Sequence, residues 1–217
     1  MTATRCVVAS EKPVFPVEGI ASERVLLRSA DPSLTHEFRA YLIDNHAYLQ
    51  PWEPLRDDAF FDPDVVSERL QSMAQKNANG DALLLLMFTR ESNRLIGTCN
   101  FANIVRGAFQ ACHLGFSVAE DLQGRGLMAE GLRLALAYVF DQMGLHRVMA
   151  NHRPENHRSA RLLARLGFQR EGEARSYLKI NGVWADHVLT SLINPKEVDG
   201  GVQALPVCEQ RPQEVVS

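Results

Sequence analysis

The order of apolar and polar residues divides the chain into short alternating runs and longer segments with helical spacing. Alternation predicts strands, whereas apolar residues three and four positions apart predict helices. Two helices begin at Asp31-Pro32 and Asp62-Pro63, because aspartate caps a helix N-terminus and proline fits its first position. Two more helices are predicted at 127–143 and 155–166. Strands are predicted at 24–28, 82–89, 94–101, 108–118 and 147–151, with two more around the Asn181-Gly182 turn.

This order of elements predicts an α/β (α+β) fold. We expect one mixed, mostly antiparallel sheet of about seven strands, with about four helices on its two faces. Residues 21–195 carry the periodic pattern, so they are expected to form one domain. Residues 1–20 and 196–217 are predicted to be a loosely ordered N-terminal extension and a loosely ordered C-terminal tail.

The composition agrees with one globular domain. The chain has 217 residues, a formal net charge of −3, 46% hydrophobic residues and 23% charged residues, which argues against disorder and fibrous repeats. No apolar run approaches the roughly 18 residues of a membrane helix, and the N-terminus lacks the apolar core of a secretory signal. Cys6, Cys99, Cys112 and Cys208 show no paired spacing, so we expect reduced thiols in a cytoplasmic protein.

Charge is distributed unevenly between two segments. Residues 31–81 contain ten acidic and four basic side chains, a net charge of −6, whereas residues 146–179 contain eight basic and three acidic side chains, a net charge of +5. Both segments could be ordinary solvated faces. Alternatively, the basic segment meets an anion and the acidic segment meets a cationic partner.

Two glycines, Gly124 and Gly126, lie in residues 123–128, between the predicted strand at 108–118 and the predicted helix at 127–143. Free N–H groups at such a helix start suit a pyrophosphate, and glycine lets the ligand approach the backbone. No Lys-Ser or Lys-Thr follows, which excludes a Walker P-loop. Residues 124–129 do fit G-x-G-x-x-A, so a dinucleotide site stays open as an alternative. The acidic residue that such a site needs at the end of the next strand is missing, since Asn151 stands there.

A second group of residues surrounds the last predicted helix. Asn156 and Ser159 are three residues apart and share one face of its first turn, where N–H groups are again free. Gly167 ends the helix and Phe168 begins a strand.

Together these two segments resemble the Gcn5-related N-acetyltransferase (GNAT) superfamily. Gln123 and Gly126 match its Q/R-x-x-G-x-G/A pattern, and Met128 departs from it at the sixth place. Asn156, Ser159 and the Gly-Phe ending match its second signature. The segments 49–54, 99–107, 124–128 and 182–189 are similar to the RimJ-type branch, which acetylates N-terminal alanine on ribosomal proteins.

The resemblance implies direct transfer of acetyl from acetyl-coenzyme A to the α-amine of a basic, small-subunit ribosomal protein. It implies a GNAT fold in which the strand at 116–118 splays from its neighbour and exposes its edge to pantetheine. The N–H of Val118 would polarise the thioester carbonyl. Asn156 would orient the pantetheine and Ser159 would protonate the departing thiolate. The residues expected to bind the cofactor are Phe116, Ser117, Val118, Gln123, Gly124, Arg125, Gly126, Leu127, Met128, Asn156 and Ser159.

The general base is not identified by the motifs. His113 is a candidate because a neutral imidazole can take a proton near pH 7, and a packed or edge histidine is the simpler alternative. Tyr177 is the alternative acid to Ser159. Trp52, Glu53 and Asn100 are expected to contact the acceptor, as members of the segments that carry the resemblance.

Other functions stay open at this point. They are a GNAT enzyme with another amine acceptor, a non-catalytic acyl-coenzyme A sensor and, more remotely, a dehydrogenase. We expect no metal, no direct nucleic-acid partner, no membrane, and a monomer or homodimer.

Overall fold

The computed structural model describes residues 14–197. Within this range, eight strands form one sheet, and four α-helices lie on its two faces. The helices are α1 (Thr35–Leu49), α2 (Pro63–Asn79), α3 (Leu127–Asp141) and α4 (His157–Arg165). The strands are β1 (Ile20–Ala21), β2 (Val25–Ser29), β3 (Leu83–Thr89), β4 (Leu95–Val105), β5 (Ala111–Val118), β6 (Arg147–Met149), β7 (Gln169–Ile180) and β8 (Val183–Ile193).

The strands follow the spatial order β1-β2-β3-β4-β5-β6-β8-β7. Every neighbouring pair is antiparallel except β5 and β6, which run parallel. The prediction of a mixed, mostly antiparallel sheet is therefore confirmed. A doubly wound dinucleotide-binding domain needs a mostly parallel sheet, so this topology rules out the dehydrogenase alternative.

The sheet splits between β5 and β6. Only Ala111, Cys112 and His113 of β5 pair with β6, although β5 continues to Val118. Beyond β6 the chain follows β8 instead: Ala150 N–H donates to the Thr190 carbonyl at 2.9 Å, and His152 forms a bridge with Val188. The far half of β5 therefore has one edge paired with β4 and one edge open to a gap.

Two apolar cores hold the layers together. On one face, α3 and α4 pack on the sheet through residues such as Leu132, Val139 and Leu163, which we name the α3–α4 core. On the other face, α1 and α2 pack through Phe38 and Leu70, which we name the α1–α2 core. Successive residues of a strand point to opposite faces, so β5 sends alternate side chains towards each core.

The helix starts follow the predicted signals. Asp62 Oδ1 accepts from the N–H of Asp64 at 2.9 Å, with Pro63 in the first position of α2. Asp31 caps a 3₁₀ turn at Pro32–Leu34 in the same way, and α1 begins only after it. Residues 14–20, part of the predicted extension, are described, and Phe15 packs edge-on against Tyr138 with ring centroids 4.9 Å apart.

Some expectations fall outside the described residues. These include most of the predicted extension and tail, together with Cys6 and Cys208. Cys99 and Cys112 are free thiols, as predicted, and both are buried. No helix among residues 14–197 is long and apolar enough to cross a membrane.

Close packing between β4, β5 and β3 makes Gly97 a stability-critical position. A Cβ there would overlap the Ser117 carbonyl oxygen and lie 2.7 Å from Met87 Cε, whereas a Cβ at Gly115 would meet nothing within 4 Å. We expect Gly97→Ala to lower the free energy of unfolding by about 1–3 kcal/mol. Gly115→Ala is the matched control and should lose no stability in the same denaturation experiment. Equal effects of the two substitutions would contradict the packing at Gly97.

Candidate active site

A glycine-rich loop leads from the end of β5 into α3. Gly124 and Gly126 adopt positive φ values of 72° and 78°, which side chains other than glycine rarely tolerate. A Cβ at Gly124 would meet nothing within 4 Å, and one at Gly126 would meet only Arg24 Nη2 at 3.6 Å. The loop is therefore open on its outer side rather than filled by the protein.

The first turn of α3 offers free N–H groups beside this loop. Gly126 is the N-cap and supplies no side-chain acceptor, and the first intrahelical bond is from Glu130 N–H to the Gly126 carbonyl at 3.1 Å. Among the described residues, no acceptor faces the N–H groups of residues 124–129. They lie at the positive end of the helix dipole, which makes this turn suited to phosphate oxygens.

Glu130 and Arg24 hold the base of the loop. The Glu130 carboxylate accepts from Ser22 Oγ at 2.6 Å and forms an ion pair with Arg24 at 2.6 Å. Burial alone would raise the pKa of Glu130, but these hydrogen bonds and the guanidinium outweigh it and lower the pKa. Arg24 also donates to the Arg125 carbonyl at 3.1 Å, so the loop is tied to β2.

The loop is also joined to α4. Arg158 donates to Gln123 Oε1, while Gln123 Nε2 is buried and finds no hydrogen-bond partner among the residues that the structure describes. A buried amide donor without a partner costs stability and is expected to find an acceptor in a ligand.

Asn156 and Ser159 lie together at the start of α4, as predicted. Asn156 is the N-cap, and its Oδ1 accepts from the Ser159 N–H at 3.1 Å. The side-chain oxygen Oδ1 of Asn156 is thus bonded to the helix, which leaves the side-chain Nδ2 free to bind a ligand. Ser159 is half-buried, and its Oγ makes no hydrogen bond within the described part of the chain.

The open edge of β5 presents backbone donors to the gap. Ala119 N–H donates to the Ile96 carbonyl of β4 at 2.8 Å. Because N–H groups along a strand alternate between its two edges, those of Phe116 and Val118 point away from β4, into the gap. The side chains of Phe116 and Val118 pack against the α3–α4 core.

Ser117 points to the opposite face and joins a chain of hydroxyl groups. Its Oγ accepts from Tyr41 Oη at 2.8 Å and lies 3.0 Å from Thr98 Oγ1. Burial raises the pKa of Tyr41, so the phenol stays protonated and donates. Ser117 therefore contacts the α1–α2 side of the sheet, and its side chain does not face the α3–α4 core beside Phe116 and Val118.

Two buried polar atoms without partners occur on the same α1–α2 face. His113 pairs with Ala102 across β4 and β5, and Asn100 pairs with Gly115, so the two side chains are diagonal neighbours. His113 Nδ1 and Asn100 Oδ1 are both buried, and neither has a hydrogen-bond partner in the described part of the chain. Burial lowers the pKa of His113, which keeps its imidazole neutral at neutral pH.

The loop after α1 lies against the β7–β8 turn. Asn181 N–H donates to the Glu53 carbonyl at 2.8 Å, and Arg153 donates to the Pro51 carbonyl at 3.0 Å. The Arg153 guanidinium lies 5.8 Å from the Trp52 ring centroid. Burial raises the pKa of Glu53 against the opposing charge of nearby Arg56, His46 and Arg69. Trp52 and Glu53 thus stand beside the hairpin that forms the far wall of the gap.

Tyr177 belongs to that hairpin. Its hydroxyl accepts from Asn151 Nδ2 at 3.3 Å, and its ring lies 5.6 Å from the ring of buried His187. Asn151 in turn accepts from the Thr190 N–H at 3.3 Å. The two candidate acids therefore lie on different elements. Tyr177 is held on the β7–β8 hairpin by Asn151, whereas Ser159 is on α4.

The motifs did not identify several residues that shape the cleft. Tyr41 and Asn45 are one helical turn apart on the buried face of α1, and Asn45 Oδ1 accepts from the Glu120 N–H at 2.9 Å. Their polar character inside an apolar helix face was the available signal. Arg158 and Asn151 act through partners more than 20 residues away, which no local pattern reveals.

Comparisons with known proteins identify the family. The model of the acetyltransferase (GNAT) domain matches residues 24–169. Over 185 residues the chain is 40% identical to the ribosomal protein uS5-alanine N-acetyltransferase of Escherichia coli K12, with 85% of this chain and 95% of that protein covered. The chain belongs to the GNAT acetyltransferases. The fold and family expected from the motifs are thereby confirmed.

Solved structures agree. The ribosomal-protein-S5-alanine acetyltransferase of Vibrio fischeri superposes with a TM-score of 0.78 at 37% identity, covering 81% of this chain and 96% of that chain. Mycobacterium smegmatis RimJ, solved in complex with CoA-disulfide, superposes with a TM-score of 0.75 at 25% identity, covering 86% and 88%.

Membership of this family establishes acetyl-coenzyme A as the acetyl donor. The cleft fits that molecule, because it combines open glycines, free N–H groups and the unpaired Gln123 Nε2 with an unpaired strand edge. No group of three or more His, Cys, Asp or Glu side chains among residues 14–197 is arranged to hold a metal.

The open outer side of the glycine loop leads to a prediction for Gly126→Val. A valine at positive φ strains the loop, and its side chain occupies the space beside the free N–H groups. We expect the affinity for acetyl-coenzyme A to fall at least about 10-fold by calorimetry, which corresponds to about 1.4 kcal/mol.

Gly107→Val is the matched control. Gly107 also has positive φ, at 74°, and open space around it, but it lies in the loop between β4 and β5. It should show the backbone strain without the loss of affinity. Unchanged affinity in a folded Gly126→Val protein would remove the phosphate assignment from this loop.

Proposed function

We propose that this protein acetylates the α-amine of a ribosomal protein that begins with alanine, by direct transfer from acetyl-coenzyme A in the cytoplasm. The observation that carries the proposal is the open edge of β5 beside the free helix start of α3. The open edge of β5 orients the acyl thioester of the donor. The acceptor amine reaches β5 from the face of the sheet that carries α1 and α2. The relatives named for uS5-alanine acetylation support this acceptor class.

The donor side follows from the β5 edge and the two helix starts. The N–H of Val118 points into the gap and donates to the carbonyl oxygen where negative charge grows during attack. Phe116 N–H and Asn156 Nδ2 hold the donor along the gap. Residues 123–128 take the phosphates at the start of α3. Acetyl-coenzyme A supplies the activated acyl group, and its thiol leaves as the amide forms.

The acceptor amine needs only modest help to lose its proton. An α-amine with a pKa of about 7.7–8.0 costs about 1–1.4 kcal/mol to deprotonate at pH 7, whereas a lysine with a pKa near 10.4 costs about 4.6 kcal/mol. A neutral imidazole with a partnerless Nδ1, together with the Asn100 amide oxygen, is well suited to this deprotonation. His113 takes the proton, and Asn100 accepts a hydrogen bond from the amine. Trp52 and Glu53 lie where the polypeptide enters.

Ser159 is our choice for the group that passes a proton to the leaving thiolate. The second proton that the amine nitrogen loses as the amide forms restores its hydroxyl. Its Oγ is free among the described residues and lies in the first turn of α4, whereas the Tyr177 hydroxyl is engaged by Asn151. A free hydroxyl can turn to the sulfur without giving up an existing bond.

The assignment of the acid predicts different outcomes for two substitutions. Ser159→Ala keeps the N–H that Asn156 caps and removes one hydroxyl, so turnover should fall by about 10 to 10⁴-fold with little change in donor affinity. Tyr177→Phe, which removes the other hydroxyl, should cost less. Steady-state kinetics together with donor calorimetry measure both effects. If Tyr177→Phe has the larger effect, the phenol is the acid.

The acceptor assignment is tested on ribosomal proteins. Mass spectrometry of a strain that lacks this chain should show one small-subunit protein without its N-terminal acetyl group, and the purified enzyme should restore it with acetyl-coenzyme A. Lysine side chains should stay unmodified, because their deprotonation costs roughly 3 kcal/mol more at pH 7. An unchanged acetylation pattern with intact donor binding would instead support an acyl-coenzyme A sensor. Transfer to a small-molecule amine alone would indicate another acceptor class.

A further inference from the structure

Arg56 of the acidic loop between α1 and α2 and Arg69 of α2 form no ion pair among the described residues. Residues 53–64 carry five acidic side chains and one basic side chain, Arg56. Arg69 reaches the same place from α2. No carboxylate among residues 14–197 lies within ion-pair distance of either guanidinium.

One phenyl ring brings the two arginines together. The Arg56 guanidinium lies 4.2 Å from the centroid of the Phe60 ring, and the Arg69 guanidinium lies 3.9 Å from it. Arg69 is also 5.4 Å from the Phe38 ring centroid. Aromatic faces attract cations and hold a planar guanidinium in a fixed orientation. Arg56 and Phe60, with Leu55 and Asp57, line an open pocket of about 390 Å³.

Both guanidinium groups are partly desolvated, and the nearby Glu53 compensates for this only in part. Arg56 Nε and Arg69 Nη2 are buried and have no hydrogen-bond partner among residues 14–197. Burial, followed by repulsion from Arg56, lowers the pKa of Arg69 to about 10, and the nearby Glu53 offsets this only in part. An anion that accepts hydrogen bonds from the unpaired N–H groups of these two guanidinium groups would stabilise their partly buried positive charge.

The pocket adjoins Trp52 and Glu53 in the sequence, the residues that the proposed function assigns to the acceptor. Glu53, three residues before Arg56, is bonded through its carbonyl to the Asn181 N–H of the β7–β8 turn. Leu55 of the pocket approaches the same turn, since its Cδ2 lies 3.8 Å from the position of a Cβ at Gly182. The pocket is therefore formed by the α1–α2 loop, and one of its lining residues approaches the β7–β8 turn.

We propose that Arg56, reinforced by Arg69 across the Phe60 ring, binds the carboxylate of an acidic side chain near the N-terminus of the acceptor polypeptide. This inference rests on the proposed function and adds a specificity determinant to it. The acceptor would carry one acidic residue into the pocket, while its basic residues meet the surrounding acidic side chains.

The charges around the pocket favour a polypeptide over a nucleic acid. Asp57, Asp58, Asp62 and Asp64 flank the two arginines. A polyanion would be repelled by these carboxylates along its length, whereas a single carboxylate on a basic chain reaches the arginines and gains attraction on either side.

The experiment compares matched peptides that begin with alanine. Each carries one Glu at a position from 2 to 8, and its partner carries Gln there, in an otherwise basic sequence. With the full-length enzyme and acetyl-coenzyme A, we expect kcat/KM to be about 10-fold higher for Glu than for Gln at one or two positions, at low salt. Arg56→Gln should bring this ratio close to one, and Arg56→Lys should restore only part of it.

Arg133→Gln is the control variant, because Arg133 is exposed on α3 and should leave the ratio unchanged. Thermal melting confirms that each variant folds. A ratio of one at every position, or a ratio that Arg56→Gln does not alter, would overturn the proposal. So would competition by an RNA oligonucleotide that depends on Arg56, since it would indicate a phosphate site.

Peptide binding to the enzyme loaded with coenzyme A separates this proposal from the proposed function. If no peptide is acetylated but the Glu peptide binds more tightly than the Gln peptide in an Arg56-dependent way, the acetylation function fails and the carboxylate subsite stands. If peptides are acetylated without a Glu preference, the function stands and the subsite fails.

Discussion

The separation of β5 from β6 after His113 is the constraint on which the rest of the site depends. Two strands that paired along their full length would satisfy each other's backbone and leave no edge for a ligand. Here the chain after β6 bonds to β8, while β5 stays paired with β4 as far as Val118. The gap is thus held open by pairing on both outer sides. Its unpaired N–H groups are available without a rearrangement on binding.

Because β5 alternates its side chains, it divides the site between two faces of the sheet. Phe116 and Val118 extend the α3–α4 core, next to the glycine loop and α4. His113 and Ser117 point to the α1–α2 side, where Tyr41 and Asn100 also lie. In the proposed reaction the donor and the acceptor approach one strand from opposite faces. Orientation by fixed groups then supplies much of the catalysis, and an α-amine needs only a weak base.

The segment proposed to meet the acceptor has a negative net charge, but it contains a local cluster of positive charge. The net charge of −6 over residues 31–81 suggests attraction of a cationic partner. Within that segment, the guanidinium groups of Arg56 and Arg69 both lie over the Phe60 ring, and four aspartates lie between these arginines in the sequence. The negative field of the whole segment and the positive charge of the arginine pocket can both act on one partner. Salt screens the field at long range, but it weakens a direct contact with an arginine much less.

The sequence by itself determined the elements that depend on local chemistry. Asp62-Pro63 predicted the start of α2, the glycines at 124 and 126 predicted an open loop at a helix start, and Asn156 and Ser159 were correctly placed in one turn. These features need only neighbouring residues, since caps, positive φ values and helical periodicity are local. The start of α1 was displaced to Thr35 because a 3₁₀ turn follows Asp31, and the two-residue strand β1 was too short to show a period. Tertiary structure alone decided how far β5 and β6 pair, that Asn100 and His113 are neighbours without partners, and that two arginines share Phe60. Each of these depends on strand register or on packing between distant segments, which is set by the whole fold and not by any stretch of the chain.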